Sequence, residues 1–356
     1  AVVKKLKIIR QAGGVLNRKV AIQIGKKEAM ARDPGNHYRY SNLGKGWARS
    51  LFNRMNMTFR AATTGKLPMP TTLVEEERLS FTNTIAQSIS QHNIPASMVL
   101  NFDQTPLLYC PAGKFTMAEK GSSKVPIAGK ADKRAMTAVF TVSMAGKFLP
   151  PQLIYPGKTA RSLPEFQFPA SFHVTCNPNH WSNEETMCQY TEQILKPYFA
   201  DQRAEHGDIP GLVIFDRFKA HLTASFTETL QKLNLIAVLV PANMTDFLQP
   251  LDLSVNKSAK DYFSDLFHDW YSHEIGEIDV QSQEYDEKIR DVLKSSVSLR
   301  NRSAEWMVSL YNHYQLSPQK EIIVNGFRAA GITERVETGP INDDPFSDIA
   351  EVMHTD

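Results

Sequence analysis

Residues 211–257 read GLVIFDRFKAHLTASFTETLQKLNLIAVLVPANMTDFLQPLDLSVNK, and the order of parts in this stretch decides the fold. The apolar run Leu212-Val213-Ile214-Phe215 ends in an acid, Asp216. Residues 224–233 then carry Phe226, Leu230 and Leu233 at helical spacing. A second apolar run, 236–240, ends at Pro241, and a loop leads to another acid, Asp252, ahead of a further helical pattern. Strand, acid, helix, strand, loop, acid, helix places two carboxylates near the same ends of neighbouring strands.

A third acid has the same setting. Met98-Val99-Leu100-Asn101-Phe102 is strand-like and ends in Asp103, and Gln104-Thr105-Pro106 follows with turn chemistry. Carboxylates at strand ends are oxygen ligands suited to Mg²⁺ or Mn²⁺. Two such ions, roughly 3.5–4 Å apart, can activate an attacking oxygen and stabilise a leaving one in phosphodiester chemistry. A lone Asp ahead of a helix, as Asp252 is, also fits a capping role.

The elements between these acids complete the expectation. A strand is predicted over 97–102, a second over 137–143 and a third over 148–155, the last two joined by a hairpin turn at Met144-Ala145-Gly146-Lys147. A long helix over 183–203 carries Met187, Tyr190, Ile194 and Leu195, and Pro197 should kink or split it. Asp252 opens another long helix, 252–273. This order predicts an α/β, ribonuclease H-like fold: a mixed sheet with helices on both faces and the three acids on one sheet edge.

The front of the chain differs in charge. Residues 1–66 hold 15 Lys and Arg against 2 Asp and Glu, while the remainder holds 25 basic against 36 acidic residues. A basic module on an acidic body points to a polyanion partner. Helices are predicted over 3–12, with Leu6 and Ile9 apolar, over 17–32, with Val20, Ile24 and Ala31 inward, and over 45–55, with Trp47, Leu51 and Met55 on one face. This fits an all-α helix-turn-helix module preceding the sheet, with Arg49, Asn53, Arg54 and Arg60 as candidate DNA contacts. For each residue taken singly, a solvated surface position is the competing reading.

The boundaries read as 1–66 for the DNA-binding module, 67–96 for a linker and helix, 97–275 for the catalytic domain and 276–356 for a helical region with an acidic tail. Within 67–96, residues 61–75 run into the segment as a Thr- and Pro-containing linker, and 76–93 form a helix with Leu79, Phe81, Ile85 and Ile89 as its packing positions. Trp306, Leu310 and Tyr311 predict a buried face, 324–332 a short helix ended by Gly331, and the chain turns acidic after about 336.

Several side chains carry two readings. His221 can touch substrate phosphate or orient the site, or be a satisfied structural histidine. Asn256 and Lys260 lie one and two turns after Asp252 and can meet DNA, and Asp246 reads as a loop acid. His173, Cys176, His180 and Cys188 match no zinc-finger spacing. Three cysteines without a CxxC pair suit a reducing compartment, and no apolar run approaches the ~20 residues that cross a bilayer.

With these residues in hand, the chain resembles the pogo/Tigger branch of the mariner superfamily of DNA transposases, which includes domesticated relatives such as jerky and centromere protein B. The pieces that carry the resemblance are GWARSLFNRMNMTFRAATTGK, NFDQTP, GKADKRAMTAVFT, LPPQLIYPGKT, VIFDRFKAHLT and PANMTDFLQPLDLSVNKSAK, over roughly 1–335. The resemblance implies a metal-dependent endonuclease with an acidic triad on Asp103, Asp216 and Asp252, Mg²⁺ or Mn²⁺ as cofactor, double-stranded DNA at transposon terminal repeats as partner, a possible homodimer and nuclear localisation. Arg217 stands where many relatives have Asn, and the first of two helix-turn-helix units expected in the family is largely absent before residue 13. The other function the resemblance allows is a domesticated nuclear DNA-binding protein without cleavage.

Overall fold

The computed structural model describes residues 1–36, 40, 42–60, 71–113, 116–127, 129, 132–218, 221, 223–279, 281 and 284–341. Most of the expected linker and the acidic tail beyond 341 lie outside the described residues. The chain divides into two compact units, Ala1–Glu75 and Glu76–Asp356.

Among its described residues the first unit holds the helices α1 (Val2–Gln11), α2 (Arg18–Arg32) and α3 (Lys45–Arg54). Asn17 caps α2 by accepting the Val20 N–H at 3.0 Å, which satisfies one of the donors a helix start leaves open. Leu6, Ala21, Ala48 and Leu51 form the core, with Ile24, Trp47 and Met55 packed against it. The inward face of α2 is centred on Ala21 and Gly25, where the sequence pattern had put Val20, Ile24 and Ala31. Val20 is half-buried and Ala31 exposed. The cause is Trp47: a Cβ at Gly25 would run into its indole ring, so the helix offers its small residues to the aromatic.

The second unit is built on a six-stranded sheet. Its strands are β1 (Val99–Leu108), β2 (Ala135–Ser143), β3 (Gln152–Pro156), β4 (His173–Asn177), β5 (Gly211–Phe215) and β6 (Leu235–Leu239), in the spatial order β4-β3-β2-β1-β5-β6. β2 runs antiparallel to both its neighbours, and the remaining pairs are parallel. The C-terminal ends of β1, β3, β4, β5 and β6 therefore share one edge of the sheet. This is the ribonuclease H-like arrangement that the order of elements predicts, with β4 added at one side. β4 was not expected from the sequence, because His173–Asn177 is half-buried throughout and shows no alternation.

β3 and β1 differ most from expectation at their ends. β3 starts at Gln152, not 148, since Pro150 and Pro151 withhold the N–H groups a ladder needs. The hairpin turn before it closes as expected, with Gly146 at φ +87 and the Ser143 N–H on the Lys147 carbonyl at 2.9 Å. β1 runs six residues past Phe102, so Asp103 stands inside a strand and not at its end. Pro106 is tolerated there because of the ladder's phase. The Tyr109 N–H bonds Arg134 and the Met144 N–H bonds Val99, so odd-numbered residues of β1 face β2. Pro106 then points its missing N–H toward the other side, where pairing with β5 stops at Asn101.

Helices cover both faces. On one, Phe102, Thr141 and Gln152 meet α5 (Glu184–Tyr190), a π turn at Thr191–Leu195, α6 (Lys196–His206) and α7 (Ala224–Lys232). Tyr190 bonds Thr141 at 2.6 Å, and Gln152 donates to the Thr186 carbonyl at 2.8 Å. Pro197 sits in the first turn of α6 and the wide turn ahead of it absorbs the missing hydrogen bond, which divides the expected 183–203 helix. On the opposite face lie α8 (Thr245–Leu248), a second π turn at Leu251–Val255, α9 (Asn256–Gly276), α10 (Tyr285–Val292), α11 (Ser296–Tyr314), α12 (Ser317–Ala329) and α13 (Ile332–Thr338). Tyr314 stacks on Phe148 at 4.7 Å, while Trp306 and Leu310 are buried and Tyr311 is half-buried.

Ahead of the sheet, α4 (Thr71–His92) buries Phe81 and Ile85 as expected, but Leu79 is 45 % exposed. Two residues before Phe81, it stands roughly 200° around the helix from it.

Gly326 in α12 fixes the approach of that helix to the Leu251–Val255 turn: an added Cβ would lie 2.5 Å from Ser254 Oγ and 2.6 Å from the Pro250 carbonyl oxygen. In an open helix Gly→Ala stabilises by up to about 1 kcal/mol. Here Gly326→Ala is expected to reverse sign and destabilise by roughly 1–3 kcal/mol through overpacking. Urea unfolding of parent and variant measures this directly, and a stabilised variant contradicts the close packing.

Candidate active site

The site is assembled by a buried amide. Asn101, fully buried in β1, donates its Nδ2 to the Ile214 carbonyl of β5 at 2.9 Å. Its Oδ1 accepts the Leu251 N–H at 2.9 Å, at the start of the second π turn. Asp103 lies two residues after Asn101, Asp216 two after Ile214 and Asp252 one after Leu251. One side chain thus joins the three segments that carry the acids, across 113 and 150 positions of sequence.

Asp103 and Asp252 are bridged. Asn256 Nδ2 donates to Asp103 Oδ2 at 2.7 Å and to Asp252 Oδ1 at 2.9 Å. Burial pushes the Asp103 carboxyl up to about 7, helped by the charges of Asp252 and Asp216 and opposed by the Asn256 and Gln104 hydrogen bonds. The Asp252 carboxyl is also raised, first by desolvation, although the residue as a whole reaches the solvent; Asn256 opposes the shift, Asp246 adds to it and Lys260 opposes it. Asn256, one of two residues for which a DNA contact was one reading, is buried beside the acids, and the other, Lys260, is exposed.

Asp216 is held by a different set. Its carboxylate and its carbonyl each lie 3.0 Å from His221 Nδ1, and its carboxylate accepts the Phe218 N–H at 3.3 Å. His221 Nε2 meets Gln104 Nε2 at 2.7 Å, so the hydrogen bonds suit a neutral ring that donates through Nδ1 and accepts from the Gln104 amide. The ring is 2 % exposed and packs against Phe102, Phe215, Phe218 and Phe226. His221 therefore orients Asp216 from below and is closed to a phosphate. Arg217 is exposed.

Among the described residues, no group of three or more His, Cys, Asp and Glu is gathered closely enough to hold a metal ion. The oxygen-only donor set still fits a hard divalent cation. Orphaned buried atoms accompany it: Asn256 Oδ1 lacks a hydrogen-bond partner, as do both amide atoms of fully buried Gln249, three residues ahead of Asp252. Asn101 and Gln104 were not singled out as site residues from the sequence, though both are polar positions beside Asp103 in an otherwise apolar strand.

In the first unit, Arg49, Asn53 and Arg54 are exposed on α3, with Arg49 and Asn53 one turn apart on the same face, and Arg60 is exposed beyond the helix. The four zinc-type residues have separate partners: His173 meets Gln152, Cys176 the Thr159 carbonyl, His180 Thr137 and Cys188 Ser225.

Residues 133–300 match the family model of the DDE superfamily endonuclease. This range contains Asp216 and Asp252 but starts after Asp103. The chain is 24% identical over 299 residues to a mouse protein described as pogo transposable element with KRAB domain, covering 82% of this chain and 44% of that protein. It is 20% identical over 216 residues to a human pogo transposable element with ZNF domain, covering 61% of this chain and 14% of that protein. This chain is similar to proteins described as pogo transposable elements. It spans less than half the length of the curated pogo relatives it matches. Among solved structures, a Mos1 transposase paired-end complex with left transposon end aligns at a TM-score of 0.42 with 10% identity, covering 91% of this chain and 94% of that one. The Mos1 mariner catalytic domain aligns at 0.34 with 12% identity, covering 72% of this chain and 95% of that one. The matched range, 133–300, lies within the unit built on the sheet.

A carboxyl whose pKa is raised on folding favours the folded state below its unfolded pKa and loses that contribution as pH rises through the folded value. For Asp103 the window runs from about 4 to about 7. In the presence of a chelator, Asp103→Asn is therefore expected to gain stability relative to the parent between pH 4 and pH 8, by on the order of 3 kcal/mol. Melting temperatures of both proteins at the two pH values test this. An equal difference at both ends of the range would show that Asp103 titrates normally.

Proposed function

We propose that the chain is a metal-dependent DNA endonuclease and strand transferase of the transposase type, acting at transposon ends through Asp103, Asp216 and Asp252. The observation that carries this reading is the Asn101 junction, which joins the three segments that carry the acids. Asp103, Asp252 and Asp216 would hold Mg²⁺ or Mn²⁺. When bound, such an ion supplies charge stabilisation at the scissile phosphate and an activated attacking oxygen. The chain's own contribution is positional. Asn256 keeps Asp103 and Asp252 within one amide's reach, and His221 with Gln104 fixes the orientation of Asp216.

The three-helix unit supplies affinity for double-stranded DNA in this reading. Its excess of Lys and Arg binds phosphates, and α3 presents Arg49, Asn53 and Arg54 as a recognition surface, with Arg60 beside it. A helix-turn-helix role, terminal-repeat DNA as target, a homodimer at paired ends and action in the nucleus all follow from the same proposal.

A second reading is a domesticated DNA-binding protein without cleavage. Two observations favour it. No three-acid cluster is gathered among the described residues, and the pogo relatives carry KRAB or ZNF domains by name. One experiment separates the readings. Under the first, Asp252→Asn abolishes Mg²⁺-dependent cutting of an end-containing duplex while DNA affinity is retained. Full activity in that variant would remove Asp252 from the chemistry, and an inactive parent would favour the second reading.

The DNA-binding assignment has its own test. Deleting residues 1–66 is expected to abolish most duplex binding. The intact chain's affinity should fall by about 10³-fold or more between 50 and 200 mM salt if six or more phosphates are contacted. Salt-insensitive binding, or unchanged affinity after the deletion, places the interface elsewhere.

A further inference from the structure

We infer that Asn256 is itself a metal ligand, completing with Asp103 and Asp252 the oxygen set that the acids alone do not provide. This assignment rests on the metal-dependent reading above. The geometry begins in the wide turn over Leu251–Val255, which closes with the Asn256 N–H on the Leu251 carbonyl, five residues back. That turn sets the side chains of Asp252 and Asn256 toward Asp103 in the neighbouring strand. Asn256 is 5 % exposed, and its amide nitrogen lies 2.7 Å from Asp103 Oδ2 and 2.9 Å from Asp252 Oδ1. Its other polar atom, Oδ1, is buried and has no partner.

The amide nitrogen therefore lies between two carboxylate oxygens, beside the place where a cation held by both would sit. The terminal torsion of Asn is broad and roughly two-fold, so a half-turn exchanges Nδ2 for Oδ1 without moving the backbone. That exchange presents a neutral carbonyl oxygen to the same point, a donor that Mg²⁺ and Mn²⁺ both accept. Oδ1, which has no hydrogen-bond partner in the metal-free state, is then the donor to the ion. In the absence of the ion, the N–H groups keep the two carboxylates together. In its presence, the same side chain contributes an oxygen. Asp216, engaged by His221, is not required for this three-oxygen grouping.

The test is Mn²⁺ binding to the full chain without DNA, followed by the loss of the free-ion paramagnetic resonance signal and by calorimetry. Asn256→Ala removes both functions of the amide and is expected to weaken binding by about 10–100-fold, the range for lost positioning or ligation at metal sites. Asn256→Asp separates them. It loses the N–H donors but keeps an oxygen at the ligand position, so binding at least as tight as the parent's is expected. Circular dichroism and the Mn²⁺-induced rise in melting temperature show that each variant is folded and loaded. Asn256→Asp binding as weakly as Asn256→Ala would reduce Asn256 to a hydrogen-bond donor and overturn the assignment, as would unchanged binding in Asn256→Ala. A parent that binds no Mn²⁺ overturns both this assignment and the metal site. A parent that binds Mn²⁺ through Asn256 but cuts no DNA supports the ligand and removes only the endonuclease reading.

Discussion

The second unit depends on one hydrogen-bonded amide, that of Asn101. Its two bonds reach Ile214 and Leu251, in segments that share no local sequence with β1. A buried amide left unmade costs about 1–3 kcal/mol for each unsatisfied group, so the native arrangement is favoured over any register that breaks either bond. Apolar packing of β1 on β5 would tolerate a slipped pair. The amide would not, because both partners are backbone groups at fixed positions. Specificity of register, more than net stability, is what this residue contributes. The acids inherit their positions from it.

The two faces of β1 divide the labour around that junction. Asn101 and Asp103 point toward the turn that begins α9, while Phe102 and Gln104 point toward α5, α7 and His221. Strand alternation thus allots the acid pair to one side of the sheet and the device that orients Asp216 to the other. His221 sits in an aromatic enclosure formed by Phe102, Phe215, Phe218 and Phe226. Such walls keep water away from the ring, so its hydrogen bonds to Asp216 and Gln104 meet little competition. A reorientation of His221 would have to displace packed aromatic rings.

Much of the fold was legible in the sequence because each strand that carries an acid also carries a strong apolar run, and the runs alternate with helical spacing in a distinctive order. What was not legible depended on distant partners. β4 has no pattern of its own and exists because β3 offers an edge. The length of β1 could not be read past Asp103, since Pro106 signals a turn unless the phase of the ladder is known. The inward face of α2 was set by an indole on another helix. At the site, the three acids were visible as acids, but Asn101, Gln104 and the role of Asn256 were not. An amide's worth depends on what it meets, and those partners come from segments far away in the chain.

The charge distribution follows from the same division of labour. Under the proposed function the acids must meet a phosphate of their own sign, and the Asp103 and Asp252 carboxyls are already raised, first by burial and then by neighbouring carboxylates. Affinity for a polyanion cannot then originate at the pocket. It has to be supplied by another surface, and the Lys- and Arg-rich first 66 residues are the part of the chain with the sign to do so. Placing binding charge and reacting charge in separate units lets each be strong without cancelling the other. Under the proposed function, loss of chemistry at the acids would leave the basic unit's affinity for a polyanion behind. If the proposed function holds, the step from transposase to domesticated binding protein is electrostatically short, because the basic residues of the first 66 and the acids of the sheet unit are under no common physical constraint.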